Sequence, residues 1–414
     1  MRALFVHQNY PGQFVHLAPA LRKRGAEVVA MTMNQTNGTS DMPIVRTVPQ
    51  HSTSGSHGWA RDFETKVIRA EATLQSARKL RDQGFNPDVI VAHPGWGDTM
   101  FLKNVWPDAR LGIYCEYYYR AAGADHDFDP EFQTPDLLDA QCRFQLRNIH
   151  QRWHFDIANG AISPTRFQAS TYPAEFRPKI DIIHDGIDTT RLKPSEKAEI
   201  ALPSGTTLTR ADEVITFVAR NLEPARGYHI FMRALPELLR RRPNAHVVIV
   251  GSAGVSYGAE APAGKNWKDI FLNEVAEELD KSRVHFTGRL PYATLIALLQ
   301  VSRLHVYLTY PFVLSWSLME AMAVGATVLA SDTEPLREVI ADGENGRLFP
   351  FFDKEALVER ACELLADKEL RERLSAAGRE TIRRDYDLQT ICLPRQLAWV
   401  DRLYRAFPAP PTPV

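Results

Sequence analysis

Between Tyr310 and Gly325 a single acid, Glu320, stands in an otherwise apolar stretch of helical spacing, YPFVLSWSLMEAMAVG. A carboxylate in such a setting needs a partner, because taking a charge out of water is costly unless it is paired or hydrogen-bonded. The apolar runs 304–308 before it and 326–330 after it have the composition of buried parallel strands. Glu320 is therefore expected on a helix whose N-terminus opens at a strand's carboxyl end, the crevice where ligands bind in open α/β sheets. With the helix starting near Ser315, its unpaired N–H groups and dipole would form an anion site. Glu320, about one turn further in, would accept hydrogen bonds from two neighbouring sugar hydroxyls. A nucleoside diphosphate, with its ribose, offers that combination. The structural alternative has the same spacing: Ser317-Leu318-Met319-Glu320 also fits a capping box in which the glutamate only satisfies a backbone N–H.

Arg220 and Arg226 follow the apolar run Val214–Ala219, with Gly227 opening the next helical pattern. Arginine's fork of donors suits phosphate oxygens, although isolated arginines are also ordinary surface residues. In the first half, Gly12 occupies the equivalent loop, where a glycine lets backbone approach a ligand closely or simply makes a turn. His93 directly follows the run Asp88–Ala92, in His93-Pro94-Gly95-Trp96-Gly97, so a parallel sheet would face it to the crevice. Its imidazole could donate to a sugar hydroxyl or carbonyl, or be a structural hydrogen-bonding group. Glu116 follows Leu111–Cys115 in the same way, and Tyr117, Tyr118 and Tyr119 would offer flat faces to a sugar ring unless they are core packing. The run Asp125-His126-Asp127-Phe128-Asp129-Pro130-Glu131 fails as a calcium hand, because Pro130 stands where the turn glycine belongs; it reads as a solvated acidic loop that could face a substrate. No Walker loop, nucleophile elbow or H-E-x-x-H is present, and no metal is expected.

These residues need a scaffold, and the chain supplies its grammar twice. Arg2–Val6, a loop to Gly12, a helical stripe of Phe14, Leu17, Ala18 and Leu21 ended by Gly25, and Val28–Met31 make a strand, loop, helix, strand unit. Val214–Ala219, the loop to Gly227, the stripe Ile230 to Leu239 and His246–Val250 repeat it. Further strands are expected near 88–92, 111–115, 180–183, 284–286, 304–308 and 326–329, and helices from Lys354 onward. The stretch Leu192–Asp212, with Pro194, Pro203, Ser204 and Gly205, reads as an interdomain linker, and the Pro-rich Phe407–Val414 as an extended end. At 414 residues the chain exceeds a single core, so two α/β domains are expected.

With 49 basic and 50 acidic residues the net charge is −1, which gives no electrostatic reason for a nucleic-acid partner. No run has the length of a membrane span and the start has no secretory h-region, so a cytoplasmic protein is expected. Cys115, Cys142, Cys362 and Cys392 are scattered, fitting reduced packing residues better than a disulfide framework or a zinc site. Asn37-Gly38-Thr39 then reads as a turn and not a glycosylation site.

Taken together, the chain resembles the retaining, GT-B-fold glycosyltransferases of family four, along nearly its whole length. Val218-Ala219-Arg220 with Arg226-Gly227 is similar to that family's diphosphate-binding Arg and Lys pair, with Arg226 where lysine is usual. Val284-His285-Phe286-Thr287-Gly288-Arg289 looks like its base-binding turn, and Glu320-Ala321-Met322-Ala323 with Gly325 like its ribose-binding helix. Ser331-Asp332, Asp342-Gly343-Glu344-Asn345-Gly346, the loop at Gly12, His93 and the hinge-like His184-Asp185-Gly186-Ile187-Asp188 fall in family order. His184-Asp185-Gly186, Ser163-Pro164-Thr165 and the 311–316 loop look like a bacterial subgroup. One position departs: the family's second glutamate, eight residues before the ribose-binding one, is Phe312 here. Donor-sugar identity therefore does not carry over. The D-x-D of Asp125–Asp127 is similar to the manganese site of the other large glycosyltransferase fold, but that motif belongs to a single-domain setting.

The resemblance implies two Rossmann-like doubly wound domains facing across a cleft: an acceptor-binding domain at 1–190, a nucleotide-sugar-binding domain at 191–385, and a C-terminal helix and tail at 386–414 returning to the first. It implies a metal-independent hexosyltransferase, needing no cofactor, that moves a sugar from a UDP- or GDP-type donor to a glycan, lipid-linked or small-molecule acceptor in bacterial polysaccharide or glycoconjugate synthesis. A lipid-linked acceptor would bring it to the inner face of the cell membrane. His93, Arg220 and Arg226 are the expected catalytic residues. Gly12, Gly288, Arg289, Val313, Leu314, Ser315 and Glu320 would join the arginines on the donor, with Glu116 and Tyr117 toward the acceptor and domain closure excluding water. The rivals are a nucleotide-sugar epimerase or hydrolase of the same fold and a non-catalytic sugar-binding subunit. A nicotinamide oxidoreductase is disfavoured by the missing G-x-G-x-x-G and the missing acid after the second strand.

Overall fold

The computed structural model describes residues 1–34, 42–53, 55–133, 136–202 and 205–405. The sequon 37–39, Pro203, Ser204 and the Pro-rich end lie outside them. The chain divides into two compact units, one built from Met1–Ala122, Thr134–Gly186 and Gln389–Val414, the other from Gly123–Gln133 and Ile187–Leu388.

The first unit alternates strands and helices: β1 (Arg2–Val6), α1 (Leu17–Lys23), β2 (Glu27–Thr32), β3 (Ile44–Arg46), α2 (Arg61–Asp82), β4 (Val89–Ala92), α3 (Leu102–Val105), β5 (Arg110–Tyr114), α4 (Leu137–Ile157), β6 (Gly160–Ser163), α5 (Arg166–Ser170) and β7 (Ile180–Ile182). All seven strands are parallel, in the order β3-β2-β1-β4-β5-β6-β7. The order reverses at β1, whose neighbours are β2 and β4, so the loops after β1 and β4 flank the topological switch point. Those loops begin with His7 and His93. Gly25, with φ +88°, ends α1 in the left-handed conformation open to glycine.

The second unit opens with a small antiparallel pair, β8 (Glu199–Ala201) and β9 (Thr207–Thr209). It continues with β10 (Glu213–Asn221), α6 (Tyr228–Arg241), β11 (Ala245–Ser252), α7 (Trp267–Glu274), β12 (Val284–Gly288), α8 (Tyr292–Val301), β13 (Leu304–Tyr307), α9 (Trp316–Ala323), β14 (Val328–Ser331), α10 (Glu334–Arg337), β15 (Arg347–Phe349), α11 (Lys354–Ala366) and α12 (Lys368–Asp385). Its six-stranded sheet is again all parallel, β12-β11-β10-β13-β14-β15, with the switch between β10 and β13. The loops there carry Arg226 on one side and 309–315 on the other. Apolar side chains on both sheet faces form two clusters, one under α6, α7 and α11, the other under α8 and α9. Burial on both faces is why these strands read as continuous apolar runs.

The final helix, α13 (Leu393–Arg405), belongs to the first unit and packs on β5 and α1. Its seat is made by two glycines that pair in register on adjacent strands, Gly112 and Gly160. A Cβ on Gly112 would come within 2.5 Å of Trp399 and Leu403. The missing side chains open a trough into which the buried Trp399 settles.

Two expectations change here. The stretch 192–212 is not a free linker: Leu192, Ile200, Leu202 and Leu208 join the second unit's core, and Arg379 donates to the Leu192 carbonyl at 3.0 Å. Its alternating apolar residues fall on β8 and β9, which pair antiparallel. Gly123–Gln133, placed by sequence in the first domain as a solvated acidic loop, lies in the second unit with Asp129 buried. The four cysteines form no disulfide, and among the described residues no helix is long and apolar enough to cross a membrane.

Candidate functional site

In the second unit, β10 extends through Arg220, which stands exposed at its carboxyl end. The chain then makes a short 3-10 turn, Pro224–Arg226, and enters α6 through Gly227 at φ +66°. A Cβ on Gly227 would meet the Leu308 side chain at 2.3 Å, so only glycine lets α6 start this close to the end of β13. That proximity sets Arg226 beneath the loop after β13. Its Nη1 donates to Thr309 Oγ1 at 2.8 Å, the Tyr307 hydroxyl at 3.2 Å and the Val313 carbonyl at 3.3 Å. Ser315 N–H donates to the same Tyr307 hydroxyl at 3.3 Å. Arg226, Val313, Leu314 and Ser315 are thus brought together, with one side of the Arg226 guanidinium engaged in holding the loop.

Ser315 is the N-cap of α9, its Oγ accepting from Ser317 N–H at 3.3 Å. Leu318 rather than Glu320 is then the third helical residue, so the capping-box alternative does not hold. Glu320 is buried, and its Oε1 accepts from the Tyr292 hydroxyl at 2.7 Å. Burial pushes the Glu320 carboxyl above its ordinary range, and the Tyr292 hydrogen bond opposes that rise. Gly288, at φ +65°, ends β12, and Arg289 beside it is exposed.

Two residues the sequence reading passed over complete this region. The Tyr257 ring lies 4.9 Å from the Arg226 guanidinium and 5.9 Å from that of Arg220, a flat face shared by both cations. Glu223, fully buried, accepts from the backbone N–H groups of Ser256, Tyr257 and Gly258 at 3.0 to 3.2 Å and so fixes the segment carrying that ring. Gly251 near the end of β11 and Gly254 and Gly258 after it are the available signal. Phe312, where the family has glutamate, is buried with its ring 4.9 Å from Tyr257. It covers Arg226 with an apolar face and has no group to offer a sugar hydroxyl.

The first unit's switch point is built differently. His93 is almost fully buried and caps a 3-10 turn, its Nδ1 accepting from Gly95 N–H at 3.2 Å. The proton is thereby assigned to Nε2, which lies 3.4 Å from Glu116 Oε2. The other Glu116 oxygen accepts from Gln13 Nε2 at 3.0 Å, and Gln13 Oε1 lies 2.7 Å from His7 Nε2. His7 Nδ1 accepts from Asn9 N–H at 2.9 Å, so its Nε2 carries the proton toward Gln13. These groups form a relay in which hydrogen bonds run from His7 through Gln13 to Glu116 and an electrostatic contact reaches His93. Burial, with His93 adding to it, depresses His7 to about 3, which keeps it neutral. Burial pushes the nearby Asp98 up to about 6, with His93 opposing. Gly12, at φ +46°, rests on this relay: a Cβ there would lie 2.3 Å from the His7 ring. Its close approach in this structure is to His7. Tyr117 is buried, its ring 5.4 Å from Tyr119, so it packs in the core and offers no open face. Among the described residues no group of three or more His, Cys, Asp or Glu is placed to hold a metal ion.

Two Rossmann-like units, each built on an all-parallel main sheet with polar groups at its switch point, define the GT-B fold. A family model described as glycosyl transferase family 4 group matches residues 24–192, and one described as glycosyl transferases group 1 matches residues 205–381. The chain belongs to the family 4 glycosyltransferases. It is 31% identical over 186 residues to the phosphatidyl-myo-inositol mannosyltransferase of Mycolicibacterium smegmatis, a match covering 44% of this chain and 43% of that enzyme. The match thus spans less than half the length of that curated relative. Its fold is like that of a sucrose-phosphate synthase from Thermosynechococcus elongatus, with a TM-score of 0.73 at 17% identity over 98% of this chain and 100% of the other. It is also like that of Anabaena HepE in complex with UDP and glucose, with a TM-score of 0.66 at 16% identity over 97% and 99%.

Proposed function

We propose that this protein transfers a hexosyl group from a nucleoside-diphosphate sugar to a hydroxyl of a glycan, lipid-linked or small-molecule acceptor, with the anomeric configuration retained. The observation that carries the reading is the tie between Arg226 and the loop 309–315 at the mouth of the helix that bears Glu320. Cationic donors, backbone N–H groups and a ribose-sized acid converge on one switch point. As the bond between the anomeric carbon and the diphosphate lengthens, negative charge grows on the leaving oxygens. Arg220, Arg226 and the N–H groups of 313–315 are the groups to stabilise it, without calling on a metal. The acceptor oxygen bonds to the anomeric carbon from the face the diphosphate leaves, and its proton goes to a departing phosphate oxygen. Gly288 and Arg289 are assigned to the base. In the first unit, His93 and Glu116 are assigned to hydroxyls of the transferred sugar and the acceptor, a pairing suited to neutral hydrogen-bonding groups. Gly12 is assigned to the same region, as the residue whose lack of a side chain leaves room for His7.

The UDP and glucose of the Anabaena structure support a UDP-sugar donor, and the name of the mycolicibacterial relative supports a lipid-linked acceptor and hence contact with the inner face of the membrane from a cytoplasmic location. Polysaccharide or glycoconjugate synthesis is the setting such a reaction fits. Phe312 motivates a second reading, a sugar-binding subunit without turnover. The test is incubation of the purified protein with UDP-, GDP- and ADP-sugars, with and without polyol, glycan and lipid acceptors. Acceptor-dependent release of nucleoside diphosphate is expected. Free sugar or an epimer from donor alone would indicate the hydrolase or epimerase, and binding with no turnover on any acceptor would favour the subunit.

A further inference from the structure

The segment Gly123–Gln133 is enclosed in the second unit by its own anchors. Phe128 lies 5.2 Å, centroid to centroid, from each of Tyr310, Phe351 and Phe352. Phe132 lies 5.3 Å from His229 and 5.2 Å from Trp267. Glu131 grips Arg233 through both oxygens at 2.7 and 2.8 Å. Between these anchors sits Asp129, 3% exposed. Its Oδ2 accepts from the Tyr310 hydroxyl at 2.6 Å and lies 3.0 Å from Nε2 of the buried His229, while Oδ1 accepts from Glu131 N–H at 2.9 Å. The His229 contact is electrostatic rather than a directed hydrogen bond, because it falls off the ring's N–H direction. Burial pushes the Asp129 carboxyl up, and the adjacent His229 ring, the Tyr310 hydroxyl and the Glu131 N–H outweigh that and hold it below its ordinary range.

The two partners of Asp129 belong to the two elements that make the candidate diphosphate site. His229 is in the first turn of α6, three residues after Arg226. Tyr310 opens the loop whose Val313 carbonyl Arg226 holds, and Tyr310 N–H also donates to the Ala225 carbonyl at 3.0 Å. One carboxylate thus links the first turn of α6, which follows the arginine turn, to Tyr310 of the 309–315 loop. Nothing in a packing role requires a charge there: the anchoring is done by Phe128, Phe132 and Glu131, and a buried carboxylate is an expensive filler. We infer that Asp129, acting through Tyr310 and His229, is a positioning residue that sets the diphosphate cradle, an inference that rests on the donor-site reading above.

The test is calorimetric titration of the full chain with UDP, GDP and ADP, on protein shown by circular dichroism to be folded. The variants are Tyr310→Phe, which keeps the ring and removes the donor, Asp129→Asn, and Glu131→Gln, which weakens the anchor without touching the tie. Tyr310→Phe and Asp129→Asn are expected to raise the Kd of the nucleotide that binds by about tenfold, the scale of one charge-assisted hydrogen bond, with Glu131→Gln unchanged. A purely structural role would lower the unfolding midpoint and leave the Kd of the folded protein where it was. An unchanged Kd in Tyr310→Phe, or an equal rise in Glu131→Gln, overturns the inference while leaving the donor site standing. Failure of the unaltered protein to bind any of the three nucleotides overturns both.

Discussion

The two switch points share a topology and differ in almost everything else. In the second unit the polar groups are cations and backbone N–H groups, and Arg220 reaches solvent from a strand end. In the first, the groups are a neutral histidine, an amide and a carboxylate joined by hydrogen bonds, with a second histidine in electrostatic contact with the carboxylate, His7 and His93 both buried. The difference teaches what each can recognise. Fixed positive charge and backbone N–H groups stabilise an anion whose charge grows during reaction, whereas a set of paired donors and acceptors discriminates hydroxyls by geometry.

If that contrast is right, charge deletion in the second unit is catalytically severe and structurally mild. Arg220→Ala should lower kcat/KM by about 10²–10³-fold, the scale of one lost transition-state donor, with an unchanged unfolding midpoint. Normal transfer rates would break the comparison at its strongest point. The first unit should show the reverse pattern, in which a change away from the chemistry costs stability alone. Gly112→Ala forces a Cβ to within 2.5 Å of Trp399 and Leu403. It should cost about 1–3 kcal/mol in chemical unfolding and leave nucleotide affinity intact.

Glu320→Gln keeps the shape and removes the charge, and is expected to weaken binding of a nucleoside diphosphate by about tenfold. Calorimetry reads this directly, and equal affinity would assign Glu320 to packing with Tyr292. The smallest effect is in pH dependence. The folded-state value of Asp98, about 6, lies above its ordinary 3.8. The native state therefore holds this proton through a window in which the unfolded chain has lost it, and the group's contribution to stability falls as pH rises from about 4 to about 6. Asp98→Asn removes that loss, so its unfolding midpoint should gain on the unaltered protein more at pH 7 than at pH 4. His7, depressed from 6.5 to about 3, works in the opposite sense: its contribution is full above pH 6.5 and is lost as pH falls toward 3.

How much of this was legible in sequence follows from the physics of each element. Strands buried on both faces announce themselves as apolar runs, and β1, β4, β5, β10, β11, β13 and β14 lie where those runs do. Glycine and serine at helix ends fixed the starts of α6 and α9 close to Gly227 and Ser315. Strands β3, β6 and β15 escaped because they are short, and β6 begins with a glycine whose meaning, a seat for Trp399, depends on a helix more than two hundred residues away in sequence. Glu320 could be found, but not its partner, since no local spacing links it to Tyr292 on α8. Asp129 was misjudged for the same reason: an acid in a polar run looks solvated until a distant His229 and Tyr310 are brought to it. Tyr257 and Glu223 show that the cradle is completed by a segment whose only local mark is its glycines.

The central claim is that the second unit's switch point holds a nucleoside diphosphate. A crystal structure of the protein with bound UDP or GDP tests it most directly. Phosphate oxygens are expected within hydrogen-bond distance of Arg220 and of the backbone N–H groups at 313–315, with both ribose hydroxyls on Glu320. A nucleotide seated elsewhere, or one that leaves Arg220 and Glu320 turned away from it, would rule out the second unit's switch point as the donor site.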